Sequence, residues 1–106
     1  MYLILKNNKY KIKYCKNLFN RFKGFMFKKK INYVLCFPKC NSIHTFFMRE
    51  NIDIIMTNKN NKVLYIYNNF KKNKIILPKK NVYYTYELPK NTNTYNINDT
   101  IKIENN

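Results

Sequence analysis

With one glycine, no tryptophan, no alanine and two arginines in 106 residues, the chain lacks the raw material of several common functions. A single glycine, Gly24, rules out a Gly-rich loop that cradles phosphate. No nucleophile elbow and no metalloprotease helix motif is present. Three cysteines (Cys15, Cys36 and Cys40) are an odd number, which forbids a complete set of intramolecular disulfides. No stretch approaches the roughly 20 apolar residues that a membrane-spanning helix needs. The apolar run over residues 1–5 is too short for a signal peptide, and lysine follows it directly. These absences lead us to expect a soluble protein of a reducing cytoplasm with no membrane span.

Acidic residues are scarce as well. Five face 21 basic ones, for a net charge of +16. Such a balance raises nucleic acid or an anionic surface as partner. A plainer cause competes. The chain holds 19 Lys, 20 Asn and 13 Ile, all written by A/T-rich codons, and a genome poor in G and C inflates them together. A protein built to read bases favours Arg, whose planar fork makes bidentate contacts. We therefore read codon bias as the main source of the charge and keep nucleic acid as the alternative partner.

What is present is strand pattern. A chain of this length supports one domain, residues 1–106, with a core that needs no metal or disulfide staple. In 9–14, Lys9, Lys11 and Lys13 alternate with Tyr10, Ile12 and Tyr14. A lysine row of that kind suits an edge strand. Residues 2–5 pair with it in an N-terminal hairpin, 2–14. Further strands are expected at 33–37, 43–49, 52–57, 62–67, 75–77, 82–88 and after Asp99, with 68–74 a basic loop. Leu18, Phe19 and Phe22 give 15–23 helical spacing, Gly24 stands where a helix would stop, and 91–95 has room for one helical turn. The expected fold is mostly β: a small, single-domain, barrel-like antiparallel sheet with one or two short helices.

Several segments then act as a set. They are Gly24 to Lys28, Leu35-Cys36-Phe37-Pro38, the run Cys40 to Arg49, Ile52-Asp53-Ile54-Ile55, Lys62-Val63, Tyr86 to Thr92, and Asn98-Asp99-Thr100-Ile101. In this order and spacing, over about 18–103, they resemble the prokaryotic domain of unknown function 192 family, also called uncharacterised protein family 0127. The resemblance implies a small β-rich, barrel-like bacterial domain. It implies no catalytic residues, since none are established for that family. Relatives usually have Asp-Gly in the hairpin where this chain has Asn60-Asn61, and often Gly where it has Asn98.

His44 is the one histidine and can be a base, a ligand or a core residue. Cys36, Cys40 and His44 form a Cys-x3-Cys-x3-His run that invites zinc. If 40–44 is extended, however, Cys40 and His44 stand about 13 Å apart, too far to share a metal. No metal or cofactor is expected. Asp53 lies among isoleucines and must find a partner: Arg49, Arg21 or backbone amides. Glu87 is in the same position between Tyr86 and Leu88. These residues define the expected ligand site: His44, Thr45, Arg49, Asp53 and Glu87, with Arg49 holding a small anion. The expected role is a non-enzymatic binding or accessory module. Two alternatives stay open. One is a nucleic-acid-associated protein, supported by basic runs near Phe70, Tyr83, Tyr84 and Tyr86. The other is a small hydrolase-like enzyme using His44 with a carboxylate or Cys40.

Overall fold

A computed structural model of the protein describes residues 1–17, 24, 31–45 and 48–105. Nine strands are described: β1 Tyr2–Ile4, β2 Lys9–Tyr14, β3 Val34–Pro38, β4 Ile43–His44, β5 Ile52–Thr57, β6 Val63–Phe70, β7 Ile75–Ile76, β8 Tyr84–Pro89 and β9 Lys102–Glu104. Seven form one sheet in the order β6-β5-β8-β3-β2-β1-β9, and β4 pairs with β7 apart from it. No helix occurs among the described residues, so the helical turn expected at 91–95 is not there. The helix expected at 15–23 falls mostly outside the described residues.

Two further expectations are corrected. The sheet is not wholly antiparallel, because β2 and β3 run parallel with Ile12 opposite Val34 and Tyr14 opposite Cys36. Parallel neighbours need a crossover of a dozen or more residues, and 15–33 supplies it. Nor is β2 an edge. Its first half pairs with β1 and its second with β3, so Lys9, Lys11 and Lys13 simply point to water from an interior strand.

The sheet curls into a half-barrel. Residues 61–63, at the start of β6, bond to 98–101, which lead into the far edge strand β9. Val63 N–H donates to Asp99 O (2.8 Å), Asn98 N–H to Val63 O (2.9 Å) and Ile101 N–H to Asn61 O (2.9 Å). One apolar cluster takes Leu3, Ile12, Val34, Cys36, Ile55, Val63, Tyr86, Leu88 and Ile101. It draws on both ends of the strand order and so lies inside the curl. A second cluster packs Leu35, Phe37, Ile52, Ile54, Met56 and Ile76 on the outer face, where β7 contributes its cover. Both faces of β3 and β5 are therefore buried, which explains why their sequences run apolar with hardly a polar break.

Turns in this glycine-poor chain rest on asparagine. Positive φ occurs at Lys39 (53°), Asn61 (61°), Asn69 (52°), Asn73 (60°), Asn81 (68°), Asn91 (60°) and Asn98 (76°), besides Gly24 (47°). Asparagine is the side chain that enters the left-handed region at least cost after glycine. Asn61 and Asn98 are the positions where the family resemblance led us to expect glycine, and both adopt the left-handed conformation that glycine enters freely. Asn98→Gly is expected to leave stability within about 0.5 kcal/mol, and Asn98→Ala to cost about 1 kcal/mol. Thermal melts of the two variants check this, and equal midpoints would refute it.

Candidate functional site

The residues expected to share a ligand site are separated by the sheet. Asp53 is 1% exposed and lies in register with Leu88, a residue of the inner cluster. Its Oδ1 accepts the amides of Asn69 (2.7 Å) and Asn91 (3.1 Å), and its Oδ2 those of Thr92 (2.9 Å) and Asn93 (2.8 Å). Backbone amides, not Arg49, are its partners. The carboxylate fastens the end of β6 to the turn after β8, at a point where β5 carries a register shift between Ile52 and Ile54.

Thr45 is likewise committed. Its hydroxyl donates to Lys71 O (2.8 Å) and accepts the Lys74 amide (2.9 Å), tying the β6–β7 loop to β4. His44 is half-buried and sits opposite Ile75 in the β4–β7 pair. Arg49 is exposed at the bend before β5.

Glu87 projects the other way. Its register partners Leu35 and Ile54 belong to the outer cluster. It is 2% exposed, and among the described residues its Oε1 has no hydrogen-bond partner. A Cβ added at Gly24 would stand 3.4 Å from that oxygen, so Gly24 lies against it. Burial pushes the Glu87 carboxyl up to about 8.

The cysteines do not converge on a metal or a nucleophile. Cys36 belongs to the inner cluster, while Cys15 and Cys40 belong to or pack against the outer one. Burial above all pushes the Cys36 thiol up to about 12, the opposite of an activated nucleophile. Cys40 donates to Ser42 O at 3.0 Å. Among the described residues no three His, Cys, Asp or Glu side chains gather to hold a metal ion.

A different constellation lies at the mouth of the half-barrel. Tyr14 ends β2, Pro38 ends β3 opposite Tyr84, and Tyr84 begins β8. Tyr14 and Tyr84 pack down on the inner cluster. With Tyr83, and with Lys16 and Lys39 at the rim, they line a cleft of about 580 Å³. The Tyr83 and Tyr84 rings meet edge to face, 4.7 Å apart and 73° inclined. Tyr83 is held at both backbone ends: its N–H donates to Thr57 O (2.8 Å) and its carbonyl accepts from Cys40 N–H (3.0 Å). Lys39 is the one residue other than Asn and Gly described in the left-handed region, so the rim turns sharply there. Burial first, then Cys36 and Tyr84, holds the Tyr14 phenol above its usual range, and its hydroxyl donates to Met1 Sδ. The cleft thus joins neutral rings to cations. Sequence reasoning picked out Tyr83 and Tyr84 but not Tyr14, whose only signal was its place as the last apolar residue of an alternating strand.

The sequence profile of the family DUF192, described as "Uncharacterized ACR", matches residues 3–103. The chain belongs to the DUF192 family. The match takes in the N-terminal hairpin, which the motif-level resemblance over 18–103 left out. No curated protein matches the chain. Among solved structures, a Sinorhizobium meliloti 1021 protein provisionally described as a transcription regulator superposes with a TM-score of 0.80 at 14% identity, covering 95% of this chain and 89% of that one. A protein of unknown function from Novosphingobium aromaticivorans DSM 12444 gives 0.70 at 13%, covering 85% and 71%. These likenesses establish a shared fold. No helix among the described residues of this DUF192 chain is long and apolar enough to cross a membrane.

Proposed function

We propose that the protein is a non-enzymatic binding module that takes a nucleotide-like ligand, a planar ring bearing a phosphate, in the mouth of the half-barrel. The observation that carries this reading is the cleft bounded by Tyr14, Tyr83 and Tyr84 with Lys16 and Lys39 at its rim. Barrel mouths are recurrent ligand sites, and this volume lies within the usual range for small molecules. Neutral tyrosine faces stack on a flat ring, and ammonium groups meet the phosphate without needing the bidentate fork of arginine. The small-anion site first expected at His44, Arg49 and Asp53 has less support, because Asp53 and Thr45 spend their polar atoms on the fold. A hydrolase reading that pairs His44 with a carboxylate or Cys40 has less still, since Asp53 is held by four backbone amides, Glu87 is buried and Cys40 donates to Ser42 O.

Tryptophan is absent, so tyrosine emission, to which the cleft contributes three of the ten tyrosines, serves as the readout. Adenosine monophosphate is expected to quench it saturably near 0.15 M salt, and Tyr14→Leu to weaken binding about tenfold, in line with one lost stacking surface. Inorganic phosphate should compete poorly. Absence of saturable quenching, or a Tyr14→Leu variant that binds like the parent, would defeat the proposal.

A further inference from the structure

Tyr83 also lines a second cleft. Asn58, Lys59, Asn60, Asn81 and Val82 line it together with Tyr83, and its volume is about 420 Å³. It lies between the β5–β6 loop and the segment entering β8. Tyr83 is therefore a lining residue common to two clefts, the tyrosine-rich mouth and a carboxamide-rich hollow. Lys59 places its ammonium over the Tyr83 ring, 5.6 Å from its centre, so a cation caps the residue that the two clefts share.

We infer that the two clefts are consecutive subsites of one track, and that the ligand is single-stranded nucleic acid spanning at least two nucleotides. This inference rests on the proposed nucleotide-binding role of the mouth and deepens it. A residue held by its backbone N–H and carbonyl and shared by two clefts suits a polymer whose flat units recur. The cations of the two clefts (Lys16 and Lys39 in the mouth, Lys59 in the second) suit a phosphate between such units. Asn60 and Asn81 bring side-chain amides of the type that pairs with base edges. A polyanion without rings would use the lysines and leave the tyrosines idle. A duplex keeps its bases stacked on each other and cannot offer them to tyrosine.

The test compares adenosine monophosphate, the adenine dinucleotide and an adenine ten-mer, in ribo- and deoxyribo- forms, with a duplex of the same length. Tyrosine quenching near 0.15 M salt is the readout. Affinity is expected to rise about tenfold or more from mono- to dinucleotide, the gain of one further stacked base. The single strand is expected to outbind the duplex. Lys59→Gln, an exposed change with little effect on folding, is expected to weaken the dinucleotide at least fivefold more than the mononucleotide. Equal affinity for mono- and dinucleotide would overturn the two-subsite track while leaving the mouth as a nucleotide site. A duplex bound as tightly as the single strand would also overturn it, marking simple phosphate attraction. No binding of any nucleotide overturns both readings. A ribo- or deoxyribo- preference, with the other outcomes as expected, identifies which polymer is taken.

Discussion

Asp53→Ala is expected to remove a large part of the protein's stability. The carboxylate closes four backbone N–H bonds between 2.7 and 3.1 Å, from Asn69, Asn91, Thr92 and Asn93, and it is 1% exposed. Alanine leaves four backbone donors, at two exposed and two half-buried residues, without their acceptor, at about 1 kcal/mol each. A loss of about 4 kcal/mol is large against the roughly 5–15 kcal/mol that holds an ordinary domain folded. With a urea slope of about 1–3 kcal/mol per molar, the unfolding midpoint should fall by at least about 1.3 M, or the variant should be unfolded at the outset. Asp53→Asn should be intermediate or nearly as damaging, because one acceptor oxygen becomes a donor aimed at other donors. Glu50→Gln is the contrast. Glu50 pairs with Lys90 at 3.8 Å on the surface, and its loss should cost under about 1 kcal/mol. Similar midpoints for Asp53→Ala and Glu50→Gln would show that the four amides find other acceptors.

The second large effect is one of pH. Glu87 ordinarily titrates at 4.5, and burial raises this to about 8 in the folded protein. Between those values the folded chain holds a proton that the unfolded chain has released, so stability falls as pH rises. The contribution is fully present below 4.5 and gone once pH has passed about 8. Its full size is up to about 5 kcal/mol. Glu87→Gln has nearly the same shape and no proton to lose, so its stability should pass through this window without that fall. Taking the difference between parent and variant cancels the common response of the other charges. A difference that stays flat from pH 5 to about 9 would mean that the carboxyl finds a charge partner when it ionises.

The strand pattern was most legible where local chemistry and burial agree. Alternation placed β2 at 9–14, and the apolar run placed β5 at 52–57, both as observed. β6 runs to Phe70, three residues beyond its expected end, because Asn68 and Asn69 read as loop residues. What keeps Asn69 in place is the Asp53 carboxylate, 16 residues away. The other three Asp53 partners lie 38–40 residues off, beyond the reach of spacing rules. That a buried carboxylate here must have partners was readable; which partners was not. The lysine row of β2 was readable as an exposed face but not as an interior strand, since neighbours are set by the crossover to β3. The ligand site was least legible. Residues near in sequence, such as Thr45 and Asp53, are turned to separate structural tasks, while Tyr14 and Tyr83 meet from opposite ends of the chain.

The place of β8 governs how the chain can assemble. It is a late strand, at 84–89, yet it lies between β5 and β3 and hydrogen-bonds to both. During synthesis, then, β3 and β5 cannot join into one sheet until the chain has been made through Pro89. Their apolar residues must wait as unpaired edges, a state open to association with other chains. Closure comes later still, when 98–101 meets 61–63 and β9 reaches β1 across nearly the whole length of the chain. Pairings so distant in sequence place the protein among the slow folders for its size, and they make its final third the part that converts separate hairpins into a single cooperative body.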